Sequence, residues 1–344
     1  MTQVAILPDP LKEVAPPRGR SGGVAWAIWL LRRLGLAILT LWLVSVLVFL
    51  ATAALGDPVR AILGRDYNSN PGRVAQLEAQ LNADEGLVSR YFSWLGGLLT
   101  GDPGTSLANQ QPVWGQISAN VVNTLVLVLL AAAVMIPLAF GIAMISAHYR
   151  RRRPDTVIQT VLLALAGVPE FVTGILLVAF FSTSVFTIFP AVTIDSPGER
   201  PWSNPEGMVL PVATLVLAVT PYVSRIVRAT LLEVLDSDYV ELARLKGIPE
   251  SVVMRKHALL NAIVPGIQVI ALQLAWLAGG VVLVETLFSY PGVGRQLVDS
   301  VRNHDVPMVQ ALSMIIAAVY VVVNLVADIL SILLTPRART AISS

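Results

Sequence analysis

Glu170 and Asp328 fall deep within long apolar runs of a 344-residue chain and are read as the only charges to do so. Two buried acids sharing a proton can activate water for hydrolysis. Asp328, however, sits near one end of its run and Glu170 nearer the middle of its own, so shared chemistry is not expected. The sequence contains no G-x-S-x-G elbow, no His-Glu-x-x-His pair and no G-x-x-x-x-G-K-[ST] phosphate loop. It has no cysteine, and its three histidines (His148, His257, His304) share no ligand spacing. No catalytic residue and no metal site is assigned, and the chain is not expected to be an enzyme.

The elements that must hold these acids are membrane spans. Hydrophobic residues make up 55% of the chain and charged residues 13%, about half the charge of a soluble domain; the mean hydropathy is +0.71. Six apolar runs of spanning length are read at 34–55, 121–147, 157–184, 208–224, 264–288 and 308–335. This is an all-α polytopic membrane protein. Basic residues precede the first run (Lys12, Arg18, Arg20, Arg32, Arg33) and fill the second connection (Arg150 to Arg153). They recur in the fourth (Arg225, Arg228, Arg244, Lys246, Arg255, Lys256) and in the tail (Arg337, Arg339). The positive-inside rule then places both termini in the cytoplasm. Residues 1–28 are Pro- and Gly-rich and suit a disordered cytoplasmic tail rather than a signal peptide. A six-span domain is expected over 29–336, with a long external loop at 56–120, a cytoplasmic loop at 225–263 and a short tail at 337–344.

The cytoplasmic loop holds a charged unit, DSDYVELARLKGIPESVVMRKHALLNAIVP (236–265). Asp238 is placed as an N-cap, with Glu241 completing a capping box. Gly247 ends the helix where a left-handed residue is needed. Pro249 opens a second helix that runs to about Leu260, and Pro265 opens the next span. Such a helix–turn–helix resembles a DNA-binding unit, but spans tether both of its ends, so nucleic acid is not an expected partner. A plain connector and a docking element for a cytoplasmic partner both remain open.

Asp238 to Gly247 (DYVELARLKG) resembles the cytoplasmic loop of ABC-transporter inner-membrane permeases, in the variant of the peptide and nickel importer group. Leu242 departs from the Glu-Ala-Ala of the general motif. Four further stretches, GDPV (56–59), YFSWLGGLLTGDPGTSL (91–107), VETLFSYPGVG (284–294) and VNLVADILSILLTPRAR (323–339), resemble that group in order and spacing. The resemblance implies the type I ABC importer permease fold. It also implies ATPase coupling through Asp238, Tyr239, Glu241, Leu242, Ala243, Arg244, Lys246, Gly247 and Pro249. The chain would bind no cofactor; ATP and magnesium would be used by two partner ATPase subunits. The other implied partners are a second permease subunit (a related but different chain), an extracytoplasmic substrate-binding protein and the bilayer.

On this reading the cargo is a dipeptide or oligopeptide, with nickel or a metal chelate as the alternative. A self-contained secondary transporter is the rival outside the family; it needs buried ion-coupling groups and two repeats, for which two buried acids and no evident repeat are thin support. Glu170, beside Pro169, is a candidate path-lining acid for cationic cargo, against a structural pairing. Gln268 and Gln273 are path candidates, against helix-packing hydrogen bonds. Pro265, Asn324 and Asp328 are read as structural, the last two sharing one helical face. Tyr91 and Trp94 mark an interfacial external helix over 87–99.

Overall fold

The computed structural model describes residues 22–54, 56, 58–80, 85–183, 186–193, 200–254, 259, 266, 269–270, 272–273 and 281–334. Among these the regular structure is helical, apart from one isolated antiparallel bridge between Thr105 and Pro112. In chain order the helices are α1 (Gly22–Ala54), α2 (Pro58–Leu63), α3 (Pro71–Gln80), α4 (Leu87–Thr100), α5 (Val113–His148) and α6 (Arg153–Ala166). There follow α7 (Glu170–Val178), α8 (Glu206–Leu235), α9 (Asp238–Leu245), α10 (Glu250–Val252), a helical stretch at 281–287, α11 (Val293–Arg302) and α12 (Val306–Leu334). Among the described residues four helices are long and apolar enough to cross a membrane: Trp26–Ala54 of α1, α5, α8 and Val306–Leu330 of α12. The pair α6 and α7, bent by 98° at the break between them, makes a fifth if counted as one span.

Several sequence boundaries need correction. Helix α1 begins at Gly22, so residues 22–28 do not belong to a disordered tail. Trp26 and Trp29 meet edge to face at 5.6 Å, and the Arg33 guanidinium lies 5.7 Å over Trp29, which extends the helix toward its start. Helix α5 begins at Val113, inside the segment read as external loop; the rest of that loop carries α2 and α3 around a small core of Val59, Leu77 and Leu107, and α4, which packs on α1. Helix α8 continues past residue 224 to Leu235, because Val227, Leu231 and Leu235 prolong its buried row despite Arg225 and Arg228. The run at 157–184 is broken between α6 and α7, which meet at 98°. About half of the run at 264–288, including 274–280, lies outside the described residues.

The centre of the molecule is α5 against α8. Buried Leu127, Ala131, Met135, Ala139, Ala143 and Ala147 form an unbroken i, i+4 row on α5, and Leu215, Val219, Val223, Val227, Leu231 and Leu235 form another on α8. Where the surroundings are oil, burial alone gains little, and close packing of small side chains holds such helices together. The four alanines serve that approach. Helix α1 packs on α12 and α4: Thr52 accepts from Gln310 (2.8 Å), Ser45 meets the Tyr91 hydroxyl (2.8 Å), and Phe49 stacks on Trp94 at 5.8 Å.

Candidate functional site

Helix α9 starts from Ser237, whose backbone is extended (φ −83°, ψ 150°) and whose side chain makes no capping bond. The Ser237 hydroxyl instead donates back to the Val234 carbonyl. The cap position is therefore one residue earlier than the sequence suggests: Asp238 is the first helical residue, and Asp238 and Glu241 act as first-turn acids at the positive helix end. At the other end Gly247 has φ +75°. Its N–H donates to Arg244 O (2.9 Å) and that of Ile248 to Ala243 O (3.2 Å), the paired closure of a Schellman turn. Pro249 then stands at the N-cap of α10.

This unit is fixed on one side and open on the other. Val240 and Ala243 are buried in the main core, and Ile248 packs against it. Tyr239, Leu242 and Leu245 point outward, with Leu245 78% exposed, and Glu241 and Lys246 flank them. Arg244 binds Glu250 through two contacts (3.1 and 2.8 Å) and donates to Leu235 O (3.2 Å), pinning α9 to α10 and to the end of α8. Arg150 reaches Asp236 at 2.6 Å, tying in the α5–α6 turn.

Beneath it lies a buried polar knot. Asp155 on α6 accepts from Nε and Nη2 of Arg228 on α8 (3.0 and 2.7 Å), from the Ser146 hydroxyl (2.6 Å) and from the Arg151 N–H (3.1 Å), and Gln159 donates to Ser146 (2.9 Å). Removing one member of such a pair leaves an uncompensated buried charge. Arg228→Ala is expected to cost about 3 kcal/mol, read as lower thermal stability of the purified protein. Changing Asp155 to Asn in the same chain should recover part of that loss.

The two outer carboxylates set the pH response of the unit. Asp236 is held below the ordinary aspartate value chiefly by the Arg150 hydrogen bond, and Glu250 below the ordinary glutamate value chiefly by the Arg244 hydrogen bond, with burial opposing in each case. A carboxylate lowered on folding stabilises above its unfolded pKa, about 4, and that contribution is lost as pH falls through the lowered value. Hydrogen-exchange protection of 238–247, corrected for intrinsic rates, should therefore be flat from about pH 5 to 8 and weaken only below about pH 4. Loss between about pH 6 and 8 would mean that another group sets the stability of this unit.

The remaining site residues are dispersed. Glu170 is the first residue of α7 and half-buried; among the described residues no hydrogen bond or ion pair engages its carboxylate. Asp328 pairs with Arg33 of α1 at 2.9 Å, while Asn324 donates to Tyr320 O at 2.9 Å. Gln273 is helical and half-buried; Pro265 and Gln268 lie outside the described residues. The structure does not bring Glu170 and Asp328 into contact.

One acid within the predicted fifth span is missed by the sequence reading, and it is the most enclosed of all. Glu285 is fully buried. Its carboxylate accepts from the Thr124 hydroxyl (2.6 Å) and from the N–H groups of Gly294 (2.7 Å) and Arg295 (3.3 Å), so it caps α11 from a distance. Thr124 in turn accepts from Val293 N–H (2.9 Å), and Asn123 donates to Pro291 O (2.9 Å) while its own carbonyl takes the Tyr290 hydroxyl (2.7 Å). Glu285 is thus a structural clamp between the 281–294 segment and α5.

Comparison with known proteins places this arrangement. Residues 139–340 match the family described as binding-protein-dependent transport system inner membrane component, and residues 27–139 match its N-terminal companion. The chain is 36% identical over 311 residues to the glutathione transport system permease protein GsiC of Escherichia coli strain K12, covering 90% of this chain and 97% of that one. It is likewise 36% identical over 314 residues to the protein of the same name from Salmonella choleraesuis, covering 90% and 98%. A solved amino acid ABC transporter with histidines aligns at 20% identity over 64% of this chain and 92% of that one, with a TM-score of 0.45.

Proposed function

Since the chain belongs to the family of binding-protein-dependent transport system inner membrane components, a non-catalytic, multi-pass constituent of the cytoplasmic membrane, we propose that it forms half of the translocation path of an ATP-driven peptide importer. Six spans, cytoplasmic termini and the type I importer fold belong to this reading. The remaining subunits are a second, related permease, two ATPase chains that use ATP and magnesium, and an external binding protein. Peptide cargo is favoured over nickel because the relatives named above are glutathione permeases, and glutathione is itself a small peptide.

The observation that carries the coupling role is the two-sided character of α9. Its inner face is locked to the main core through Val240 and Ala243, and its outer face offers Leu242 and Leu245 to solvent. A rigid, backed helix with exposed apolar side chains is suited to sit in a groove of a moving partner and to pass on its displacement. The same helix departs from the Glu-Ala-Ala pattern at Leu242, which adds apolar area on the exposed side.

The test is uptake by the reconstituted complex. Radiolabelled di- and tripeptides, glutathione among them, should accumulate in an ATP-dependent manner, and nickel should not. Leu245→Asp, at a position 78% exposed, should leave insertion unchanged while lowering both ATPase association and peptide uptake at least about tenfold, as expected for an interface anchor worth about 1.4 kcal/mol or more. Full uptake by that variant would remove α9 as the docking element.

A further inference from the structure

The break between α6 and α7 is in an unusual place. It lies between two fixed points on α8: Asp155 on Arg228 near one end, and Gly174 near the other, where an added Cβ would come within 3.4 Å of Thr214. At about 1.5 Å per residue the rise of α6 from Asp155 brings its last turn level with Leu217, close to the middle of α8. Gly167 and Pro169 at the break are exposed. Irregular backbone at membrane depth is tolerated only where protein covers it or where it lines a water-filled cavity.

Two further observations mark the place as polar. Glu170 shares its helical face with Thr173, Gly174 and Leu177, which turn toward the core, whereas Phe171 and Ile175 on the other side are 45% and 50% exposed. Its carboxylate therefore does not share the outward apolar face. On α8, Thr220 and Ser224 stand on the same i, i+4 row as Arg228, which meets α6. Both are almost wholly buried, and among the described residues neither hydroxyl has a partner, although Thr214 and Thr230 on the same helix bond back to their i−4 carbonyls. An unengaged carboxylate beside the break, with two unengaged hydroxyls on the row of α8 that meets α6, is costly in a bilayer unless something polar arrives.

We propose that this break is a cation-recognition point of the translocation path, where Glu170 receives the primary ammonium group of peptide cargo. The assignment rests on the peptide-importer reading above. In this site Glu170 supplies the charge, and the unwound backbone supplies the carbonyl oxygens of Gly167 and Val168, that of Pro169 being taken by the first turn of α7, as discontinuous helices do in other transporters.

The chain has no cysteine of its own, so Gly167→Cys, at the exposed break and with Glu170 left in place, puts the only thiol of this subunit at the proposed site, and labelling of this subunit is read in the whole reconstituted transporter. A membrane-impermeant cationic thiol reagent should modify it, and transported peptide should slow that reaction at least about tenfold. Modification only by a lipid-soluble maleimide would overturn the assignment. In parallel, Glu170→Gln should lower uptake of a free-amine peptide about tenfold or more and spare its N-acetylated counterpart, both delivered at matched occupancy of the binding protein; Glu170→Asp should restore uptake. Equal losses for both peptides, or none, would also overturn it. A wild-type complex that imports no peptide at all would instead sink the peptide reading, while the labelling result would still decide whether the break meets water.

Discussion

Replacing Gly247 with valine is expected to lower peptide uptake at least about tenfold while the protein still inserts and folds. The reason is conformational and not steric: φ at Gly247 is +75°, and nothing lies within 4 Å of where a Cβ would stand. A left-handed residue with a side chain costs roughly 1–2 kcal/mol, more when β-branched. That strain falls on the turn that sets the angle of α9 against α10, so the helix loses its fixed presentation before the spans lose anything. Gly247→Asn is the control, because asparagine tolerates the left-handed region, and it should retain most of the activity. ATP hydrolysis should persist in the valine variant while transport falls. Equal uptake by both variants would show that the turn angle does not matter.

Gly292→Ala is expected to be as damaging for a different reason. Here the backbone is extended (φ −108°, ψ 179°), which any residue adopts. An added Cβ, however, would lie 2.0 Å from Glu285 Oε1 and 2.1 Å from its carboxyl carbon. The carboxylate cannot retreat without giving up the Thr124, Gly294 and Arg295 donors. Overpacking and the loss of the three hydrogen bonds to this buried carboxylate together suggest a cost of about 3 kcal/mol or more, measured as lower thermal stability and weaker recovery of folded protein. Glu285→Gln, which keeps the shape but replaces one acceptor oxygen with an amide, should be milder. Were Gly292→Ala as stable as the wild type, Glu285 would not be the clamp described.

Most of the large elements were legible in the sequence because they rest on local pattern. The long apolar runs of α1, α5, α8 and α12 and the Gly247 turn need no distant partner to be recognised. Boundaries failed where a distant contact or a row of packing decided them, as with Val227, Leu231 and Leu235 carrying α8 onward through two arginines. The cap at Ser237 was missed because the hydroxyl of a serine can serve either the helix ahead or the one behind. Glu285 escaped notice although it stands in the quoted VETLFSYPGVG motif. Its partners come from Thr124, far earlier in the chain, and from backbone N–H groups that carry no sequence signature. Asp155 and Arg228 were likewise ordinary charges at the ends of runs until the fold joined them. Pro169 announced a disturbance in the third run, but a bend of 98° is a tertiary outcome.

The central claim is that residues 238–247 seat an ATPase. It is tested most directly by purifying the tagged chain from cells that express its whole gene neighbourhood, and by repeating this with the segment replaced by a Gly/Ser linker. The account predicts that nucleotide-binding subunits accompany the native chain in stoichiometric amount and are lost with the linker, while the second permease subunit stays in both. ATPase subunits that remain with the linker would contradict the role given to α9, and their absence from both preparations would contradict the importer itself.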